Sequence, residues 1–383
     1  MITYCRSCIL PSTKPDLEFS SAGVCQACVN FSNREETDWN ARRDEFIATL
    51  EKARSLKSGA WDCIVPVSGG KDSTYQVLKI KELGFNPLAV TARTCDLTQI
   101  GRHNIDSLRH AGVDHIELSP NPLVRATLNR IGLERVGDIS WPEHVGIFTL
   151  PVRASVMVDV PLIIWGENSQ NEYGGPAAMA DNKVLDRRWL EEFGGLLGMR
   201  VTDLETTYNL SPEDLFLYTY PEDRELERVG TRGLFLGHFF PWDGLSNALI
   251  SQLHGFRVWN TVVEGSAASY ENLDNYQTGI HDYFKFLKFG FGRASDILSM
   301  HIRRGRVSRQ QAIDIVQDLE GKFPWKYLDR DLEAILEPLQ LSIDRFIELC
   351  DEFANMELFE TGVDGELSRD SRGNLRKINY DNP

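Results

Sequence analysis

The sequence is short of positive charge, and it lacks the long hydrophobic runs of membrane proteins. Its 383 residues include 41 Lys and Arg against 56 Asp and Glu, a formal net charge of −15 at pH 7. Such an acidic excess repels nucleic-acid phosphates and anionic lipids, so we expect no nucleic-acid partner and no membrane partner. No apolar stretch approaches the roughly 20 residues that span a bilayer. The opening MITYCRSCIL has no basic segment followed by an apolar one, so the sequence predicts no signal peptide and a cytoplasmic location.

Internal repeats and low-complexity segments are also missing, and the composition is ordinary. Hydrophobic residues make up 42% of the chain and charged residues 25%. These values are typical of folded domains and exclude a disordered or collagen-like chain. At about 150 residues per domain, the length predicts two to three domains.

Four of the seven cysteines follow a metal-binding spacing. Cys5 and Cys8 form one C-x2-C pair, and Cys25 and Cys28 form a second. Sixteen residues separate the two pairs. Two such pairs supply four thiolates to a tetrahedral Zn²⁺ ion, and a site closed by four protein ligands is structural. Disulfides or a redox C-x-x-C pair are the alternatives; a cytosolic chain argues against the first and two matched pairs against the second. The other cysteines are expected to be buried apolar side chains: Cys63, Cys95 and Cys350.

Between residues 35 and 260, short apolar runs alternate with segments of helical periodicity. The apolar runs predict strands at 63–67, 87–92, 115–118, 161–165 and 233–240. The helical periodicity predicts helices at 38–57, from the end of the first strand to Leu83, at 98–111 and at 143–158. Such alternation is typical of an α/β protein with a parallel sheet and helices on both faces, in which ligands bind at the carboxyl ends of the strands.

The rest of the chain completes a three-part organisation. We predict a zinc ribbon over 1–34, an α/β domain over 35–260 with an acidic insertion around 176–230, and a mostly helical C-terminal region over 261–383. In the last part, Ser308 and Gln311 make a capping box for a helix that ends near Gly321. Ser342 caps another helix that runs to about residue 356. Residues 360–383 are polar, and a loose tail is expected there.

A glycine-rich loop, Ser68-Gly-Gly-Lys-Asp-Ser73, joins the first strand to a helix. Gly69 and Gly70 allow the backbone to approach a ligand closely, and the helix N-terminus favours an anion. The two serines add hydroxyl donors, and Lys71 adds a point charge. The loop matches neither G-x-x-x-x-G-K-[ST] nor G-x-G-x-x-G. An ordinary glycine-rich turn is the alternative, but a strand before the loop and a helix after it favour a phosphate site.

The SGGKDS loop resembles the pyrophosphate loop (PP-loop) of the N-type ATP pyrophosphatases, which include GMP synthetase, NAD synthetase, asparagine synthetase and tRNA-thiolating enzymes. Five further segments narrow the resemblance: CRSC, CQAC, WGENSQNEYGG at 165–175, FLGHFFPWD at 235–243 and KFGFGRASD at 288–296. With them, nearly the whole chain resembles the N-acetyl sugar amidotransferases of lipopolysaccharide O-antigen and flagellar pseudaminic-acid pathways. The resemblance implies an adenine-nucleotide alpha-hydrolase-like (HUP) fold for the α/β domain.

The resemblance also implies an ATP-dependent, AMP-forming reaction. A nucleotide-linked N-acetyl sugar would have its acetamido group converted to an acetamidino group through an O-adenylyl intermediate that ammonia attacks. ATP would bind the loop Ser68–Ser73 and the backbone near Thr91. Lys71 would stabilise the departing pyrophosphate, and Asp72 would hold Mg²⁺.

The remaining candidate residues follow other strands of the sheet. Glu167, Asn168 and Glu172 lie on the loop after residues 161–165, where they can face the metal or the sugar amide, and we place Glu172 in the catalytic set. Local hydrogen bonding within the loop is the alternative. Trp242 and Asp243 follow another strand, where an indole can stack on a sugar and a carboxylate can bind it. Core packing of the Trp is the alternative.

Three cations cluster later in this acidic chain, at Lys285, Lys288 and Arg293. They are expected to bind a substrate carboxylate or nucleotide phosphates, and a solvated helix face is the alternative. The sequence contains no glutaminase Cys-His-Glu set. The resemblance therefore implies ammonia from a separate glutaminase subunit with a cyclase-like subunit, both similar to those of imidazole-glycerol-phosphate synthase.

Two other functions fit parts of the sequence. A tRNA-thiolating enzyme shares the SGGKDS loop and the paired C-x-x-C motifs, but it needs a basic face for RNA phosphates and a reactive cysteine pair near the loop. The net charge of −15 argues against it. A nucleotide-binding scaffold without catalysis would share the loop but would not split ATP to AMP and pyrophosphate.

Overall fold

The computed structural model describes residues 2–56, 59–167, 172, 184–185 and 197–378. Within them lies a six-stranded sheet of order β3-β2-β1-β4-β6-β5. Its strands are β1 (Cys63–Pro66), β2 (Pro87–Ala92), β3 (Asp114–Leu118), β4 (Leu162–Trp165), β5 (Val184–Leu185) and β6 (Arg232–Phe235). Strand β5 is antiparallel to β6, and the other pairings are parallel. The predicted α/β fold with a parallel sheet is confirmed.

Helices surround the sheet and dominate the C-terminal region. Those before β6 are α1 (Gln26–Asn33), α2 (Trp39–Leu56), α3 (Lys71–Glu82), α4 (Gln99–His110), α5 (Pro122–Val136), α6 (Trp141–Val158), α7 (Val201–Tyr208), α8 (Pro212–Leu215) and α9 (Asp223–Val229). Those after it are α10 (Leu236–Phe239), α11 (Gly244–Leu253), α12 (Thr278–Phe289), α13 (Arg293–Arg303), α14 (Arg309–Leu319), α15 (Leu332–Leu336) and α16 (Ile343–Phe353). A small hairpin, β7 (Lys326–Tyr327) and β8 (Arg330–Asp331), precedes α15. In the described part of the chain, no helix is both long and apolar enough to cross a membrane.

The central strands are buried on both faces, as their continuous apolar runs predict. Val65 of β1 belongs to a cluster with Phe46 of α2 and Val77 of α3. The neighbouring Ile64 points the other way, into a cluster with Val152 of α6. Successive side chains of a strand point to opposite faces, so each central strand contributes to both layers of the core.

The strand order creates a crevice at one edge of the sheet. Ile64 of β1 is aligned with Leu88 of β2 on one side and with Ile163 of β4 on the other. The chain runs outward from β1 to β3 and then returns to the opposite side of β1. The carboxyl ends of β1 and β4 therefore flank the topological switch point, where sheets of this type bind ligands.

Two elements differ from the prediction. The strand expected over 233–240 ends at Phe235, where the chain enters the single helical turn α10. Helix α5 was not predicted, although Asn121 caps it, Pro122 occupies its first turn and Gly137 ends it with φ of +60°. Its apolar residues form no single stripe, because the helix packs on two cores, one through Leu128 and the other through Leu133.

The polar segment 360–378 is not a loose tail. Leu375 is buried in the C-terminal core together with Phe359, and Lys377 Nζ donates a hydrogen bond of 2.6 Å to the Gly290 carbonyl. Isolated β-bridges also join the segment to itself and to Phe359. The expectation of a loose tail is therefore wrong for the described residues, because a few apolar side chains are enough to fix a polar segment.

Replacement of Leu375 by Ala should lower the free energy of unfolding by about 2–5 kcal/mol, because it removes buried methyl groups and leaves a cavity. Glu366→Ala on the same segment should change it by less than about 0.5 kcal/mol, since Glu366 is exposed. Urea unfolding of both variants measures the difference. Equal unfolding midpoints would show that the segment does not pack on the core.

Candidate functional site

The SGGKDS loop leaves the carboxyl end of β1 and enters α3 at the switch point. Gly69 has φ of +86°, and a Cβ there would lie 2.7 Å from Ile105 Cγ1 and 2.9 Å from the Gly101 carbonyl oxygen. Gly70 is the N-cap residue of α3 and has no side chain to cap it. The first N–H groups of this helix are therefore oriented toward the crevice, an arrangement that favours an anion such as phosphate.

Lys71 lies at the centre of a buried ion-pair network. Its Nζ is 2.6 Å from Asp72 Oδ2 and 2.6 Å from Glu271 Oε1, and its side chain is 7% exposed. The ring of Tyr270 lies 5.7 Å from the same nitrogen. Lys71 is therefore not exposed at the sheet edge, because the segment before α12 folds over the loop. Only Asp72 keeps substantial exposure, at 25% of its side chain.

Helix α11 supports the loop from the other side. Asn247 Nδ2 donates a hydrogen bond of 2.8 Å to Asp72 Oδ1, and Ser251 Oγ donates one of 2.8 Å to the Lys71 carbonyl. A Cβ at Gly244 would lie 3.1 Å from Lys71 Cε. The sequence analysis missed these supporting residues and Glu271, because they lie some 170 to 200 positions from the loop they contact, and no local pattern marks them.

A second carboxylate reaches the crevice from β4. Glu167 follows that strand directly, and burial, together with the nearby negative charge of Asp72, raises the pKa of Glu167 to about 7. Two carboxylates near one anion-binding helix end favour a divalent cation that neutralises them, and oxygen ligands of this kind suit Mg²⁺. Asp72 and Glu167 therefore fit a magnesium site. Asn168, the next predicted residue, lies outside the described residues.

Glu172 does not reach the crevice as a free carboxylate. It is buried, forms an ion pair with Arg34 and lies 3.7 Å from Arg304 Nη2. Its carbonyl accepts a hydrogen bond of 2.8 Å from Arg303. The structure thus assigns Glu172 an anchoring position between α1 and α13, and its predicted place in the catalytic set is corrected.

Trp242 and Asp243 are also occupied within the protein. Trp242 is buried and packs edge-on against Tyr75 at 5.7 Å between ring centroids. Asp243 caps α11 through Ser246 and pairs with Arg306 at 2.5 Å. Burial raises the pKa of Asp243, but hydrogen bonds from Arg306 and Ser246 outweigh it and hold that pKa well below the usual range. The sugar-stacking and sugar-binding roles predicted for the pair are wrong, because core packing and capping use these groups.

Thr91 lies inside β2 and not beyond its end. Its side chain is buried, and its Oγ1 is 2.8 Å from His115 Nε2 on β3. The N–H of Arg93 donates to the Leu118 carbonyl. These contacts leave the side chain of Thr91 and the N–H of Arg93 engaged within the sheet, so neither is free to contact an adenine.

The three cations of the C-terminal region do not form a shared binding surface. Lys285 pairs with Asp296, and Arg293 pairs with Asp282 at 3.0 Å. Lys288 donates to the carbonyls of residues 136 and 137 at the end of α5. Arg293 also lines a cavity of about 340 Å³ between α12 and the segment 319–327. The predicted joint role of the three in binding an anionic substrate is corrected.

The four paired cysteines converge at the N-terminus. All four are buried, the Cys5 and Cys28 sulfurs are 3.9 Å apart and the Cys8 and Cys25 sulfurs 3.6 Å apart, and all four lie within 4.8 Å of one another. Zn–S bonds of about 2.3 Å in a tetrahedron place sulfurs about 3.8 Å apart. Backbone N–H groups of residues 7, 8 and 25 donate to Cys5 Sγ. The cluster fits a structural Zn²⁺ ion.

Four arginines between residues 303 and 309 contact several of the groups described above. We call residues 303–309 the arginine segment. Arg304 lies 3.2 Å from Asp243 Oδ1 and donates to the Trp242 carbonyl at 2.7 Å. Arg309 Nε donates to the Cys8 carbonyl at 3.0 Å. The segment therefore joins the cysteine cluster, Glu172 and the loop before α11.

The fold and this site define an α/β protein with a glycine-rich strand-to-helix loop at the switch point of a parallel sheet. Residues 264–369 match the family described as "LPS biosynthesis protein WbpG-like, C-terminal domain". This region is therefore similar to a domain of lipopolysaccharide biosynthesis proteins, as the sequence predicted, and we call residues 264–369 the WbpG-like region.

Similar solved structures include two synthetases. NMN synthetase from Francisella tularensis is 13% identical, with 51% of this chain and 92% of that chain covered and a TM-score of 0.26. The NH3-dependent NAD synthetase from Campylobacter jejuni subsp. jejuni is 12% identical, with 57% and 97% covered and a TM-score of 0.28. No curated protein sequence matches the chain.

Replacement of Cys25 by Ser should remove one equivalent of bound zinc and loosen the N-terminal 34 residues, because structural zinc contributes roughly 10–16 kcal/mol to small zinc-binding folds. Cys95→Ser should keep the metal, since Cys95 lies outside the cluster. Elemental analysis and thermal melts of both variants provide the measurement. A zinc-free wild-type protein with an intact N-terminal region would contradict the assignment.

Proposed function

We propose that this protein is an ATP-dependent, AMP-forming amidotransferase that converts a sugar acetamido group to an acetamidino group in lipopolysaccharide or related surface-glycan biosynthesis. The proposal rests above all on the ion pair between Lys71 and Glu271. Lys71 belongs to the SGGKDS loop, and Glu271 lies within the region that matches the lipopolysaccharide family. The two features that suggest ATP chemistry and surface-glycan biosynthesis therefore meet in one site.

In the first half of the proposed reaction, the sugar amide oxygen attacks the α-phosphorus of ATP. The bond to the bridging oxygen of the β-phosphate breaks, and pyrophosphate leaves. The N–H groups at the start of α3 bind the leaving pyrophosphate, and Lys71 Nζ, held by Asp72 and Glu271 in advance, neutralises its charge. Glu271 is thus a positioning residue for Lys71.

The cation site lies beside this loop. Asp72 and Glu167 are the carboxylates that would hold Mg²⁺, and Asn247 orients Asp72 by its hydrogen bond. When bound, Mg²⁺ neutralises phosphate charge and leaves α-phosphorus open to attack. Because the pKa of Glu167 is about 7, its affinity for a cation should increase as the pH rises through neutrality.

In the second half, ammonia adds to the carbon of the O-adenylyl imidate. The carbon–oxygen bond to AMP breaks, and an amidine remains on the sugar. Only neutral ammonia has the required lone pair, and it is a minor species at neutral pH. We therefore propose that a partner glutaminase, acting with a cyclase-like subunit, delivers ammonia along a path closed to water.

The cysteines argue against tRNA thiolation. Burial raises the pKa of Cys95 to about 12, and Cys63 and Cys350 are fully buried. A sulfur carrier needs an accessible thiolate, because the thiolate is the nucleophile. Outside the zinc cluster, none of the described cysteines provides one.

Asp72→Asn should reduce AMP formation by at least about 100-fold, because the amide keeps the shape of the side chain but removes the charge that positions Lys71 and the cation. We choose Asp72→Asn rather than Lys71→Ala, because loss of Lys71 would leave the carboxylate of Glu271 without its ion-pair partner. Glu82→Gln at the exposed end of α3 is the matched control. Quantification of AMP and pyrophosphate from ATP, ammonium and sugar tests both variants, and undiminished AMP formation by Asp72→Asn would overturn the site.

The substrate class is tested by mass spectrometry. Wild-type protein is incubated with ATP, ammonium and a panel of UDP-linked diacetamido sugars, and the product is examined for exchange of one carbonyl oxygen for NH. We expect this exchange for at least one sugar and its loss in Asp72→Asn. AMP formation without any change in the sugars would retain the adenylating site but reject amidine formation.

The isolated chain should use ammonium and not glutamine as its nitrogen source, because its sequence contains no glutaminase Cys-His-Glu set. Glutamine should support the reaction only when the glutaminase and cyclase-like subunits are added. Product formation from each nitrogen source is the measurement, with a glutaminase inhibitor as the control for contamination. Efficient use of glutamine by the chain alone would contradict the partner proposal.

A further inference from the structure

Three potential metal ligands meet far along the chain from the cysteine cluster. Asp138 lies in the short loop between α5 and α6, His144 lies in the first turns of α6, and His281 lies in the first turn of α12. One ligand atom from each lies within 4.8 Å of the other two. The last helix belongs to the WbpG-like region, so the cluster spans the junction between that region and the sheet domain.

Both imidazoles contact the same carboxylate. His281 Nδ1 is 2.7 Å from Asp138 Oδ1, and His144 Nδ1 is 3.0 Å from Asp138 Oδ2. The second contact lacks hydrogen-bond geometry, and His144 Nδ1 is a buried atom without a hydrogen-bond partner. The two imidazoles lie edge to face, with ring centroids 5.2 Å apart. The Nδ1 atom of each imidazole thus lies next to the Asp138 carboxylate.

The carboxylate is fixed before any ligand arrives. The Asp138 side chain is 4% exposed, and the N–H of Ser140 donates to its Oδ1 at 2.9 Å. The imidazoles retain about a quarter of their exposure, 26% for His144 and 24% for His281. The histidines are therefore the more exposed side of the cluster.

The surrounding charges allow a cation. Lys288 is the nearby positive group, and its Nζ is directed to the carbonyls of residues 136 and 137. Glu143 is paired with Arg125 at 2.9 Å. With both histidines neutral, Asp138 leaves the cluster one negative charge, which a divalent ion would more than neutralise.

We propose that Asp138, His144 and His281 form a second metal site, for a divalent transition-metal ion. Two imidazoles and one carboxylate suit Zn²⁺, Fe²⁺, Co²⁺ or Mn²⁺ better than Mg²⁺ or Ca²⁺, which prefer oxygen ligands alone. The ion fastens the start of α6 to α12 and so couples the sheet domain to the WbpG-like region. This assignment is independent of the reaction proposed above.

The test counts Co²⁺ ions on the full-length, untagged protein. Metal-free wild-type protein is titrated with Co²⁺ in excess Mg²⁺, which fills the site proposed at Asp72 and Glu167, and is followed by absorption and elemental analysis. We expect two equivalents, one with thiolate-to-cobalt charge-transfer bands from the cysteine cluster and one without them. His281→Gln and Asp138→Asn should lose only the second equivalent, and Cys25→Ser only the first. His254→Gln is the matched control, because His254 is exposed and lies outside both clusters. This variant should retain both equivalents of Co²⁺.

One equivalent in the wild type, with thiolate bands, would overturn the proposal, as would two equivalents in both His281→Gln and Asp138→Asn. The three side chains would then form a carboxylate bridge between two imidazoles. Retention of the thiolate-bound ion shows that a variant is folded. If a variant fails to fold, the wild-type stoichiometry alone decides between the two outcomes.

Discussion

The ion pairs of Lys71 hold the site and the two halves of the chain together. A buried ammonium is costly unless it is paired, and its partners are Asp72 in the next position and Glu271 some 200 residues later. The loop therefore reaches its observed form only when the segment before α12 is in place. The hydrogen bonds from α11 to Asp72 and to the Lys71 carbonyl depend on the same arrangement. The form of the SGGKDS loop thus depends on the contact between the sheet domain and the WbpG-like region.

Charge is distributed unevenly in this acidic protein. The net charge is −15, yet several of its arginines are at least partly buried, where they pair with carboxylates and carbonyl oxygens. The arginine segment is the clearest case, because it contacts the cysteine cluster, Glu172 and Asp243 at once. Arginines paired in this way orient loops, since the guanidinium donates in several fixed directions. The acidic groups that they neutralise are therefore architectural.

The corrected residues share one cause. Trp242, Asp243 and Glu172 are residue types that bind sugars and metals in many proteins, and they follow strands of the sheet or lie on the loop after one. The same types also fill cores, cap helices and pair with arginines. Only the partner decides between these roles, and each partner here comes from a distant part of the chain: Tyr75 for the indole, Arg306 for the aspartate and Arg34 for the glutamate.

The sequence by itself determined the local features of this protein. Apolar runs and helical periodicity defined the parallel α/β sheet, the spacing of Cys5, Cys8, Cys25 and Cys28 indicated a metal cluster, and SGGKDS between a strand and a helix indicated the phosphate loop. Each depends on neighbours in the chain or on backbone conformation. Tertiary structure alone decided that Lys71 is buried against Glu271, that α11 orients Asp72, and that Asp138 meets two histidines. These contacts join residues far apart in sequence, and their geometry follows from how the layers pack and not from any local pattern.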